Sequence, residues 1–270
     1  MKDQIWWVTG ASSGIGAALA RGLAGRGARL ILSGRNVAAL EAVAKDCGPG
    51  TMVLPFEATD YAALPTLVQE AWDWCGRIDG LVNNAGISQR SLAIDTDFSV
   101  YQKIVDVDLL APIALTQQLL PRMIEAGGGQ IVAISSVAGI LGAPLRSAYS
   151  AAKHGLIGYH DSVRVENEHR GLKVLVVAPG SVRTNVSRNA LNADGSTRGT
   201  SDAVIENGMS PEDAATQILD AIAAGKREIV VAEGAEADMA RLRRADPDAL
   251  FDRMSATVQA GLAAQLKTGE

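Results

Sequence analysis

The stretch SAYSAAKHG, residues 147–155, places Tyr149 four residues ahead of Lys153 among small side chains. Free tyrosine and lysine titrate near about 10 and about 10.4, so neither is a useful acid or base alone at neutral pH. Residues four apart share a helical face, and a lysine cation beside a phenol favours the phenolate. Bringing a phenol from about 10 to near 7 takes about 4 kcal/mol. An exposed lysine does not supply that; a lysine in a dry pocket, helped by a second positive charge, does. Such a tyrosine can donate a proton to a carbonyl oxygen as hydride arrives, or remove one in the reverse direction; the alternative is an amphipathic helix with an incidental Tyr/Lys pair. Ser136 completes the set. It ends the apolar run GQIVAISS (129–136), at the strand end where parallel sheets collect ligands, and its hydroxyl can stabilise charge on a substrate oxygen. Ser135 should point to the opposite face. No G-x-S-x-G elbow surrounds Ser136, which argues against nucleophilic serine chemistry.

A second constellation binds rather than reacts. TGASSGIG (9–16) lies where the first apolar run becomes the first helical pattern. There Gly10 permits the turn, Gly14 lets the backbone approach a ligand and Gly16 lets the helix pack on the sheet, leaving helix N–H groups for a pyrophosphate. The next apolar run ends in Ser33-Gly34-Arg35. An NAD site usually carries an acid there for the ribose 2′-hydroxyl. Arg35 cannot accept that bond, but it suits a 2′-phosphate, so NADP(H) is favoured, with NAD(H) retained as the other cofactor.

The elements that must position these residues alternate along the chain. Strands are expected at 5–9, 28–34, 51–58, 78–86, 129–136, 172–180 and 227–233. Helical patterns fall between them, at 14–27, 36–48, 61–76, 98–126, 146–171 and 210–225. Asn36 and Ser210 read as N-caps, Pro65 fits only a first turn, and Pro112 is expected to kink the fourth helix. Alternation of this kind implies a doubly wound, seven-stranded parallel sheet with helices on both faces, an α/β single domain. Residues 184–208 are polar and glycine-containing, and are expected to be a flexible loop that closes over substrate. The last stretch, 234–270, reads as a charged helical tail, part of the same domain or an oligomer interface.

Composition narrows the class. The chain has 270 residues, 47% hydrophobic and 20% charged, with a net charge of -5. It is long enough for one large domain, and the acidic balance disfavours nucleic acid as a partner. Cys47 and Cys75 lack metal or redox spacing and read as reduced thiols. His154, His160 and His169 share one predicted helix with charged residues and no partner at ligand spacing, so no metal is expected. Glu166 and Arg170 read as a solvated i,i+4 pair. No apolar run approaches the ~20 residues that span a bilayer, so a cytoplasmic protein without a membrane anchor is expected.

The glycine loop, NNAG (83–86), Ser136, YSAAK (149–153) and PGSVRT (179–184) together resemble the short-chain dehydrogenase/reductase family, in order, over residues 4 to about 232. The stretch after PGSVRT and the tail further resemble a branch near the hydroxysteroid dehydrogenases. The resemblance implies a Rossmann-type fold, with residues 1–233 as a dinucleotide-binding and catalytic domain. It implies that Gly10, Ser12, Ser13, Gly14, Ile15 and Gly16 line the pyrophosphate and ribose, and that Arg35 meets the 2′-phosphate. Glu57 and Ala58 would contact adenine, and Asn84, Ala85 and Gly86 would run from the adenosine ribose toward the nicotinamide. Pro179, Gly180, Val182 and Thr184 would meet the carboxamide. Tyr149 would be the acid/base, Ser136 the oxygen stabiliser, and Lys153 the ribose anchor that tunes Tyr149. Two departures stand out: Ser13 occupies a loop position that is basic in many NADP-using members, and Asp108 replaces an asparagine whose main-chain carbonyl helps hold a proton-relay water. The expected partner is a small carbonyl or alcohol, and the expected assembly a homodimer or homotetramer. A dinucleotide-sensing protein without turnover remains the alternative. A methyltransferase would want an acid after the second strand, where Gly34-Arg35 stands.

Overall fold

A computed structural model describes residues 1–261. Seven strands form one sheet: β1 (Ile5–Thr9), β2 (Arg29–Ser33), β3 (Thr51–Val53), β4 (Gly80–Asn83), β5 (Gly129–Ile134), β6 (Leu172–Pro179) and β7 (Glu228–Val231). Every pairing is parallel and the order is β3-β2-β1-β4-β5-β6-β7. Helices α1 (Gly14–Gly25), α2 (Val37–Cys47), α3 (Leu64–Cys75), α4 (Phe98–Val105), α5 (Ala111–Glu125), α6 (Ser147–Asn167), α7 (Ala203–Glu206), α8 (Pro211–Ala223), α9 (Gly234–Ala245) and α10 (Pro247–Gln259) complete the fold.

The sheet has two buried faces because its strands are apolar on both. Trp6 packs with Leu19, Leu23 and Ile218 of α1 and α8. Its neighbour Trp7 points the other way, with Val68, Leu115, Leu119 and Val163 of α3, α5 and α6. Gly80 is required beside Trp6, since a Cβ there would collide with the indole. Asn36 and Ser210 cap α2 and α8 as their sequence positions predict, accepting from Ala39 N at 3.1 Å and Asp213 N at 3.0 Å. Pro65 sits in the first turn of α3.

Several local expectations are corrected. The third strand ends at Val53 rather than 58, because Pro55 has no N–H for the ladder. The long fourth helix is interrupted by a π-helical turn, Asp106–Leu110. Pro112 has no N–H to give the carbonyl of Asp108, and the wider turn absorbs the missing bond. An 18-residue window of the combined run Phe98–Glu125 has a mean hydropathy of 1.2, and the run is long and apolar enough, by length and composition alone, to cross a membrane. Here Leu115, Leu119 and Met123 on it pack against the sheet. His160 is fully buried rather than on a charged face. Helix α6 ends at Asn167, so Glu166 and Arg170 no longer share a helical face, and Arg227 pairs with Glu168 at 2.6 Å. Cys47 and Cys75 are free and half-buried.

Residues 184–208 are folded in rather than an open lid. Ser187, Ala190, Leu191, Asp202 and Ile205 are buried, and Leu191 bridges to Gln89. Helices α9 and α10 cover the chain just beyond β5, where Ala240 and Leu250 pack with Val137 and Leu141.

Candidate active site

The C-terminal ends of β3, β2, β1, β4, β5 and β6 open in that order onto one cleft of about 980 Å³. Arg35 and Glu57 stand at one end, the glycine loop and Gly86 in the middle, and Ser136, Tyr149 and Lys153 beyond. This is the crevice where strand order reverses, between β1 and β4.

The loop after β1 is shaped for a close ligand. Gly10 and Gly14 have φ of 63° and 55°, a region that side chains disfavour. A Cβ on Gly16 would strike the Gly10 carbonyl and the Asn84 amide, and one on Gly14 would lie 2.9 Å from Thr184 across the cleft. Ser13 is the N-cap of α1 without a side-chain bond to its first amides, which leaves those N–H groups to a ligand. A dinucleotide pyrophosphate fits this cradle. Ser12, Ile15, Ala58, Ala85, Pro179, Gly180 and Val182 line the same cleft. Asn84 also braces it: its amide donates to the carbonyls of Thr9 and Gly10 at 2.9 and 3.2 Å. Thr9 Oγ1 in turn accepts from the Asn84 and Ala85 amides at 3.0 and 3.1 Å. At the far end, Arg35 and Glu57 are both exposed and 3.7 Å apart.

Ser136 is the N-cap of a short turn after β5. Its Oγ accepts from Ala138 N at 3.1 Å and donates to the Pro179 carbonyl at 3.3 Å. Ser135 points away and donates to the Lys153 carbonyl at 3.0 Å, as strand alternation predicts. Tyr149 is half-buried, with Lys153 Nζ 5.6 Å from its ring centroid. Lys153 is sealed beneath it and donates to the Ile134 carbonyl at 3.1 Å. The π turn brings in Asp108, which is fully buried. Its Oδ2 lies 3.2 Å from Lys153 Nζ, and its Oδ1 accepts from Ile87 N at 2.8 Å. Burial pushes the Asp108 carboxyl up. Burial alone would pull Lys153 down, yet the Asp108 carboxylate holds it above the ordinary lysine range. The Asp108 side chain itself therefore meets Lys153, beyond the main-chain role that the family's asparagine suggested. Gly86 leaves the space for this pair: a Cβ there would lie 3.1 Å from Asp108 Oδ2 and 3.3 Å from Lys153 Nζ.

Some residues at the site carried no readable signal. Buried Gln89 accepts from Ala148 N at 2.8 Å and Tyr149 N at 3.4 Å, fixing the start of α6. Glu236 of α9 accepts from Ser181 N at 2.6 Å and Ser181 Oγ at 2.9 Å. Arg90, Arg146 and Arg198 gather on Asp202. Only SQRS, a polar run directly after a glycine turn, hinted at Gln89 and Arg90.

Sheet, crevice and glycine cradle define a dinucleotide-binding α/β protein. The chain belongs to the short-chain dehydrogenase family, whose model, described as short chain dehydrogenase, matches residues 4–195. It is accordingly an NAD(P)-dependent oxidoreductase. It is similar to "Dehydrogenase/reductase SDR family member 7B" of Danio rerio, 39% identical over 241 residues, covering 86% of this chain and 78% of that protein. A short-chain dehydrogenase from Streptomyces avermitilis is 27% identical with a TM-score of 0.80, covering 97% of this chain and 99% of its own. A Burkholderia phymatum family member solved in complex with NAD shares the fold at a TM-score of 0.81 and 21% identity, covering 92% of this chain and 95% of its own.

Proposed function

We propose that this oxidoreductase prefers NADP(H) and acts on a carbonyl or secondary alcohol, with Tyr149 as its acid/base. The observation that carries the reading is the grouping of Ser136, Tyr149 and the buried Lys153 in one cleft with the glycine cradle. When bound, the cofactor supplies or takes up the hydride. The chain does the rest. The N-terminus of α1 holds the pyrophosphate. Arg35, an always-charged planar donor at the end of β2, meets the 2′-phosphate. Glu57, 3.7 Å away, moderates that charge. Val182 and Thr184 orient the carboxamide. Ser136 turns its hydroxyl from the long bond to Pro179 O toward the substrate oxygen and stabilises charge developing there. Tyr149 gives its proton to that oxygen in reduction and takes one in oxidation. Lys153 keeps a positive charge beneath the ring, secured by Asp108.

Titration with NADPH and NADH, then turnover on aldehydes, ketones and diketones, tests both parts. NADPH should bind more tightly. Tyr149→Phe should lose on the order of 10²–10⁴ in kcat while still binding NADPH. Full activity in that variant would remove Tyr149 from the chemistry, and tighter NADH binding would remove Arg35 from cofactor choice.

A further inference from the structure

We propose that the substrate carries an anionic group, a carboxylate or phosphate monoester, and that Arg146, backed by Arg90, receives it beside Tyr149. The proposal rests on the oxidoreductase reading above and names the class of molecule it acts on.

Four charged residues from three parts of the chain meet at this wall. Arg90 follows β4, Arg146 precedes α6, and Arg198 and Asp202 lie in the folded-in segment 184–208. Asp202 accepts from Arg90 Nε at 2.7 Å and Arg198 Nη1 at 2.5 Å, while Arg146 Nη2 stands 3.7 Å off, too far for a hydrogen bond. The side chains of Arg90, Arg198 and Asp202 are only 5, 9 and 6% exposed. The remaining partners of Arg90 are neutral: Ser88 Oγ at 3.1 Å and the Gln89 carbonyl at 2.8 Å. Among the described residues, three guanidinium cations thus share one carboxylate, and two of the three, Arg90 and Arg198, are largely closed to water. Burial, with Arg146 adding repulsion, pulls Arg90 down to about 10. Burial alone would raise Asp202, but the guanidinium bonds bring it down to about 2, so its carboxylate stays charged and is fully used.

Tethering of the 184–208 segment to the rest of the chain needs only Arg90, and Arg198 pairs with Asp202 within the segment. Arg146 is left over. Its side chain is 26% exposed, and both it and Arg90 line the cleft. A guanidinium with a free edge suits the two oxygens of a carboxylate or phosphate. The location is tied to the chemistry: Arg146 lies three residues before Tyr149, roughly 4.5 Å along the helix axis, and Gln89, adjacent to Arg90, holds the Tyr149 amide. A substrate spanning the two would carry its acidic group within a few bonds of the reacting carbonyl. Leu191 and Ile205 supply an apolar wall nearby.

The test uses the full chain saturated with NADPH. In turnover, 4-oxopentanoate and 5-oxohexanoate are compared with their methyl esters. The acids should exceed the esters at least tenfold in kcat/KM. Arg146→Gln should collapse that ratio toward one, chiefly through KM, and Arg146→Lys should restore part of it. A second readout needs no turnover: butanoate and n-propyl phosphate should raise the melting temperature of the wild type, methyl butanoate should not, and Arg146→Gln should lose the shift. The larger of the two shifts identifies the headgroup. Esters turned over as well as acids, with no anion-dependent shift, would overturn the proposal and leave the oxidoreductase reading intact. An Arg146-dependent shift with no turnover on any carbonyl would support the anion site and count against that reading.

Discussion

Lys153 is the residue on which the site's charge depends. Its ammonium reaches the Ile134 carbonyl and the Asp108 carboxylate at 3.1 and 3.2 Å with almost no contact with water. A lysine sealed alone would lose its proton; the carboxylate prevents this and holds it above its ordinary range. A raised lysine contributes stability below its unfolded value that is lost as pH rises through the folded one. Asp108→Asn keeps an acceptor for Ile87 N but removes the charge, so the alkaline limb of NADPH affinity should move to lower pH, measurable by fluorescence titration across pH 7–11. His160 works in the opposite sense. Its Nδ1 donates to the Leu156 carbonyl at 2.9 Å, which leaves Nε2 to accept from the Asn83 amide at 3.4 Å. Burial brings His160 down to about 4. Its neutral form is stabilising above about 6.5, and that stability is lost as pH falls through 4, on the order of 3 kcal/mol over the window. Urea unfolding at pH 7.5 and 4.5 should show the fall, and His160→Gln should flatten it.

At the scale of elements, two devices place the reacting groups. The π turn between α4 and α5 carries Asp108 inward, and Pro112 makes a regular turn there unfavourable. Helix α9 fixes the segment after β6. Glu236, in its first turn, takes both donors of Ser181, and a Cβ on Gly180 would collide with it. The segment held this way leads directly to Val182 and Thr184. Bonds to a charged acceptor contribute about 1.5–3 kcal/mol each, discounted here for partial exposure. Glu236→Ala should weaken NADPH binding on the order of tenfold with a smaller effect on the rate at saturation, read by cofactor titration and single-turnover kinetics.

Across the whole molecule, parallel strands bring residues from six separate strand ends to one crevice. The tail helices then close its back. Val137 and Leu141, immediately after Ser136, bury against Ala240 and Leu250. Burying a leucine contributes about 1.5–3 kcal/mol. Truncation after Glu233 should therefore lower the melting temperature by at least about 5 °C and loosen the Ser136 turn, with activity falling alongside; calorimetry checks the first and turnover the second.

The sheet and the glycine cradle were legible in the sequence because each follows from local chemistry, and the Ser136/Tyr149/Lys153 set was legible once the family resemblance joined Ser136 to the Tyr/Lys spacing. Apolar runs bounded by glycine make strands, a strand-to-helix glycine turn makes an anion cradle, and a four-residue spacing puts two side chains on one helical face. Tertiary structure alone decided the rest. The spacing of Asp108 from Lys153 does not reveal an ion pair; a π turn and a buried contact from another element create it. The polarity of residues 184–208 suggested mobility, but Asp202 draws Arg90 and Arg198 from distant and near positions into one wall. Glu236 lies in a stretch whose pattern shows only a charged helical tail, and it meets Ser181 because α9 folds onto that segment. Contacts between residues 45 to 112 positions apart depend on how elements pack, and no local pattern encodes that.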